Sequence, residues 1–116
     1  MKVIRNGTVF DTEKAAALLH AEWYTRHPNQ AGGDPMLRHE CGVYRGNGGT
    51  VFGARYDQSG YGRDENGVTG LYTRSHSDVV PFYGEVAENI VRWCEEQDCF
   101  DIDAIIEAFP EGVKEA

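Results

Sequence analysis

Apolar and polar positions follow three different rhythms along this chain. Near the start, Val3-Ile4 and Val9-Phe10 flank Asn6-Gly7. Both residues of that dipeptide tolerate positive φ, so Lys2 to Phe10 is predicted to form a hairpin with a two-residue turn. Behind Asp11-Thr12, a candidate N-cap, Ala15, Leu18, Leu19 and Trp23 recur at three- and four-residue intervals. This spacing predicts a helix from Thr12 to about Arg26, ended by His27-Pro28-Asn29.

Residues 28–39, rich in Gly, Pro, Asn and Asp, read as a loop. Cys41–Arg45 and Thr50–Tyr56 read as strands around a Gly46-Asn47-Gly48-Gly49 turn. Asp57 to Asn66 reads as a second loop, Thr69–Thr73 as a further strand, and Val79-Val80-Pro81 as extended chain.

The rhythm turns helical again from Tyr83 to Gln97. At 100° per residue, Tyr83, Val86, Ala87, Ile90, Val91, Trp93 and Cys94 share one arc, opposite Glu85, Glu88, Asn89, Arg92, Glu95 and Glu96. A short helix follows, capped by Asp101, with Ile102, Ile105, Ile106 and Phe109 as its apolar contacts and Pro110 as its end. These elements predict an α+β fold: a small antiparallel β-sheet of three to five strands, packed by an N-terminal helix and two C-terminal helices. At 116 residues the chain is expected to be a single domain, 1–116.

Charge divides this domain. Residues 1–82 carry nine acids and nine bases and are neutral; residues 83–116 carry ten acids against Arg92 and Lys114, which leaves the whole net charge of −8 in the last 34 residues. Such a concentration of negative charge repels phosphates and attracts cationic protein surfaces. No apolar run approaches the ~18 residues of a membrane span, and Met1 to Gly7 lacks the apolar core of a secretory signal, so no membrane partner is expected.

The candidate chemistry is sparse. Cys41, Cys94 and Cys99 are odd in number with no C-x-x-C pair, which favours reduced thiols. On a helix His20 and His27 would stand about 10 Å apart, too far to share a metal. His39 and Cys41 lack further ligands at metal-site spacing, so neither metal nor cofactor is expected. Ser75-His76-Ser77-Asp78 has the residue types of a nucleophile triad but reads as a polar turn, because adjacent residues rarely face one another. Gly46-Asn47-Gly48-Gly49-Thr50 lacks the lysine and the following helix of a phosphate loop. No constellation points to an enzyme.

Several segments carry a resemblance: Val9-Phe10-Asp11-Thr12-Glu13-Lys14-Ala15; Gly46-x-Gly48-Gly49 with Phe52 and Gly53; Val80-Pro81; Trp93-Cys94-Glu95-Glu96; and Ile105-Ile106-Glu107-Ala108-Phe109 after a capping acid. In outline the chain resembles small acidic accessory proteins of phages and other mobile genetic elements, and through them anti-CRISPR proteins, which commonly inhibit by binding. The resemblance implies a bacterial cytoplasm and a host nucleoprotein machine as target, and transfers no catalytic residue.

The expected function is that of a non-enzymatic inhibitor. Glu85, Glu88, Glu95, Glu96, Asp98, Asp101 and Asp103 would stand in for phosphates on a basic, nucleic-acid-binding surface of a host defence complex of the CRISPR type, with Tyr61 and Tyr72 as aromatic anchors. The alternative is a nucleic-acid-binding accessory protein that uses Arg45, Arg55, Arg63 and Arg74 interleaved with Tyr44, Phe52, Tyr56, Tyr61 and Tyr72. The acidic balance makes direct nucleic-acid binding the weaker expectation.

Overall fold

The computed structural model describes residues 1–26, 36–63 and 69–116; the side chains at 61–63 and 69–73 lie outside that description. Its elements are strands β1 (Lys2–Arg5), β2 (Thr8–Asp11), β3 (Ala16–Arg26), β4 (Met36–Arg45), β5 (Val51–Arg63) and β6 (Thr69–Pro81), then helices α1 (Ala87–Gln97) and α2 (Ile102–Ala108). A 3-10 turn at Pro110–Gly112 follows. The strands form a two-stranded sheet, β1-β2, and a four-stranded antiparallel sheet in the order β3-β4-β5-β6. The chain is thus mostly sheet, and the expected N-terminal helix does not exist.

The segment assigned to that helix is the edge strand β3. From Leu19 onward its exposure alternates with a period of two: Leu19, Ala21 and Trp23 are at least partly covered, whereas His20, Glu22 and Tyr24 are exposed. The register against β4 shifts between Ala17 and Leu19, leaving Leu18 as an extra residue. That bulge places Leu18 beside Leu19 and gives a strand the three-and-four spacing of a helix. Asp11 does not cap a helix; its Oδ1 accepts a hydrogen bond from the Glu13 N–H at 3.0 Å, closing a turn.

The two turn signals hold. Asn6 and Gly7 take φ of 50° and 77° in the β1–β2 turn. The turn at 46–49 is closed by the Gly49 N–H on the Gly46 carbonyl at 2.9 Å. The expected loop from Asp57 is strand as far as Arg63, with 64–66 outside the described residues, and β6 runs unbroken from Thr69 to Pro81. The helix stop at His27-Pro28-Asn29 and most of the 28–39 loop also lie outside the described residues; Met36 to His39 belong to β4. Helix α1 begins at Ala87 rather than Tyr83, because Gly84 and Glu85 hold φ of 81° and 50° and interrupt helical winding.

The central sheet buries both faces. Phe10 of the hairpin packs with Tyr44, Phe52, Ala54 and Val79 on one side. The other side is formed by Leu19, Val43, Val51 and Phe82 with Ile90, Val91 and Cys94 of α1 and Ile105 of α2. Adjacent residues thus serve opposite layers: Val43 and Val51 face the helices, Tyr44 and Phe52 the hairpin. Gly53 turns toward α1, where the indole of Trp93 lies directly over it.

Candidate functional site

Helix α1 holds its apolar arc on the sheet through Ile90, Val91 and Cys94, which turns Glu88, Glu95 and Glu96 outward. Glu95 and Glu96 fall in its last turn, where no basic residue occurs, and Asp98 ends it in a left-handed conformation with φ of 53°. Carboxylates there face the negative end of the helix dipole, at a cost of about 0.3–1 kcal/mol each. Arg92 shares their arc, yet among the described residues no ion pair within 4.0 Å joins it to Glu88, Glu95, Glu96 or Asp98. Asp101 and Asp103 continue the exposed acids at the start of α2, and Asp101 Oδ1 accepts from the Asp103 N–H at 3.3 Å, as the capping reading expects.

Glu85 stands apart from this group. It lies before the helix, and its carboxylate takes a hydrogen bond from Arg45 Nη1 at 2.5 Å. It is therefore a neutralised partner of β4 rather than a free carboxylate. Tyr61 and Tyr72 face each other in the β5–β6 register, but their side chains lie outside the described residues.

Among the described residues, part of the arginine and aromatic array is turned onto the protein itself, at Arg45, Arg55, Tyr44 and Phe52. Tyr44 and Phe52 are buried core residues. Arg38 lies over the Tyr56 ring at 5.1 Å, and Arg55 over Trp23 at 5.4 Å. The side chain of Arg63 lies outside the described residues. Ser75 and Ser77 alternate with His76 and Asp78 across β6, so this run is strand rather than the expected turn, and it forms no triad. Cys41, Cys94 and Cys99 are free thiols; burial pushes Cys94 up to about 12.

One polar cluster was not anticipated. On the helix-facing side of the sheet, His39 Nδ1 meets Asp57 Oδ1 at 2.8 Å, and His39 Nε2 meets Thr25 Oγ1 at 2.8 Å. Trp23 stacks on the imidazole at 5.3 Å. Arg55 donates to both oxygens of Asp57, at 2.9 and 3.4 Å, and reaches the Gln97 carbonyl at 3.0 Å. Nucleophile, base and acid types are thus in sequence, but the carboxylate is shared with Arg55 and the ring is covered by Trp23. The arrangement is a clasp that ties β3, β4 and β5 to the end of α1. It also occupies both nitrogens of His39, the candidate metal partner of Cys41. The sequence carried its signal as alternating pairs, Trp23-x-Thr25, His39-x-Cys41 and Arg55-x-Asp57, which bring one face of three adjacent strands together.

Burial pushes the Asp57 carboxyl upward, but the hydrogen bonds from Arg55 and His39 outweigh it and hold the group below its ordinary value. Such a carboxylate adds stability above the unfolded value of about 3.9, and that stability is lost as pH falls through the lower folded value. Asp57→Asn should cost about 1–2 kcal/mol at pH 7 and flatten the acid limb of stability. Urea midpoints measured from pH 7 to pH 2 should converge for the two proteins below pH 4. Midpoints that stay equally separated throughout would show that the charge of Asp57 is not what holds the clasp.

Searches of family models, curated proteins and solved structures find no match to this chain.

Proposed function

We propose that this chain is a non-catalytic binding protein whose outward α1–α2 face docks on a cationic, nucleic-acid-binding surface of another protein. The observation that carries the reading is the acidic end of α1: Glu95, Glu96 and Asp98 sit where the helix dipole opposes them, without a basic residue in the last turn. Their placement costs stability, and a cationic partner would repay that cost on binding. Glu88, Asp101 and Asp103 extend the face, whereas Glu85 does not belong to it. The outline resemblance to small proteins of mobile genetic elements makes a bacterial defence complex of the CRISPR type the partner class to test first. The nucleic-acid-binding alternative loses support because Arg45 and Arg55 are committed to Glu85 and Asp57.

The test is competition. Purified CRISPR effector complexes are loaded with labelled DNA, and release of the label is followed as the protein is added. Wild type should displace DNA, less effectively as salt rises. The variant Glu88→Lys/Glu95→Lys/Glu96→Lys should keep its circular dichroism spectrum and lose about 100-fold in potency, at roughly 1 kcal/mol per reversed charge. Equal potency in a folded variant, or no displacement from any effector, would overturn the reading.

A further inference from the structure

The opposite, hairpin-facing side of β3 and β4 carries a different constellation. The register sets Glu22 directly across from Glu40, with His20 across from Gly42, two residues along the same face. Like charges in a direct cross-strand pair destabilise a sheet, so this pairing calls for a cation. Arg38 supplies one: its Nη2 donates to Glu40 Oε2 and lies 3.6 Å from Glu22 Oε2. It cancels one of the two charges, through contacts to the Oε2 atoms. Glu40 Oε1 lies 3.1 Å from His20 Nε2 and accepts a long hydrogen bond of 3.5 Å from the Tyr44 hydroxyl. Glu22 Oε1 accepts from the Tyr24 hydroxyl at 2.8 Å.

One donor atom each from His20, Glu22 and Glu40 lie within 4.8 Å of one another. Ligand atoms around tetrahedral zinc, with bonds of about 2.0–2.2 Å, stand about 3.3 Å apart, close to the 3.1 Å between His20 Nε2 and Glu40 Oε1. We propose that His20, Glu22 and Glu40 form a binding site for one divalent first-row metal ion, with Zn²⁺ as its best match.

One imidazole and two carboxylates are borderline and hard donors, suited to zinc. Three protein ligands leave a fourth position for water. Arg38 and Tyr24 then act from outside the ligand set, holding the carboxylates through hydrogen bonds as the outer partners of metal ligands do. The ion would cross-link the edge strand β3 to β4. The site is independent of the acidic face, because it occupies the other side of the sheet.

The full chain, stripped with a chelator, is titrated with Zn²⁺ by calorimetry and with Co²⁺ by visible absorption. One equivalent should bind, with Co²⁺ developing a d–d band and Zn²⁺ raising Tm. His20→Ala and Glu40→Gln should each weaken binding at least tenfold and abolish the Co²⁺ band. His76→Ala, a change at an exposed histidine on β6, should leave both intact. The proposal fails if wild type binds no Zn²⁺ at 100-fold excess, or if His20→Ala binds as tightly as wild type.

Discussion

Phe52→Ala should remove about 3–5 kcal/mol of stability, the range for deleting a buried aromatic ring. Phe52 is 1% exposed. Its ring meets Phe10 edge-on at 5.1 Å and stacks on Tyr44 at 5.6 Å, so the cavity would open between the central sheet and the β1–β2 hairpin. The helix side, built on Val43 and Val51, would keep its contacts. Domains of this size are stable by only about 5–15 kcal/mol, so the loss is a large share of the total. Urea unfolding should show a lower midpoint at nearly constant m, and amide exchange should quicken first in Lys2–Asp11. Exchange accelerated equally in α1 would show that the two faces of the sheet do not act as separate layers.

What the sequence concealed has identifiable physical causes. Features set by one or two residues were legible, such as the Asn6-Gly7 turn and the Asp101 cap, because the chemistry is local. The apolar arc of α1 was legible because Ile90, Val91 and Cys94 face a single sheet. The N-terminal strand was misread because the bulge at Leu18 imitates helical spacing, and β3 gains its ladder from β4, which the local pattern does not carry. The outer parts of β5 and β6 were missed for a related reason. There Asp57 pairs with His76, Gln58 with Ser75 and Ser59 with Arg74, so backbone bonding rather than apolar burial sustains the strands.

The misreading of β3 also hid chemistry. On a helix His20 and Glu22 would point in different directions; on a strand they share a face and meet Glu40. The pairing of Glu85 with Arg45 was hidden because it joins residues forty apart in the chain. The acidic end of α1 was legible because it depends on composition and helix direction alone.

Gly53→Ala should destabilise the central sheet through the addition of a single methyl group. A Cβ at Gly53 would lie 2.7 Å from Trp93 Cζ2, 2.8 Å from Cε2 and 2.9 Å from Cη2. These atoms belong to a rigid ring held by Phe82 at 5.9 Å and Phe100 at 6.5 Å, so the ring cannot yield by a simple rotation. Replacing glycine restricts the unfolded chain and would favour folding by about 0.4–1 kcal/mol, but overpacking of about 1–3 kcal/mol opposes it and wins. Relief requires α1 to lift from the sheet, which would also tilt Glu88, Glu95 and Glu96 away from their present surface. A smaller ring at position 93 should separate steric conflict from any effect of alanine itself. Trp93→Phe alone should destabilise by leaving a void, yet Gly53→Ala/Trp93→Phe should be more stable than the sum of the single changes allows, with a coupling of at least about 1 kcal/mol. Additive single and double variants in urea titrations would mean that the indole does not rest on Gly53.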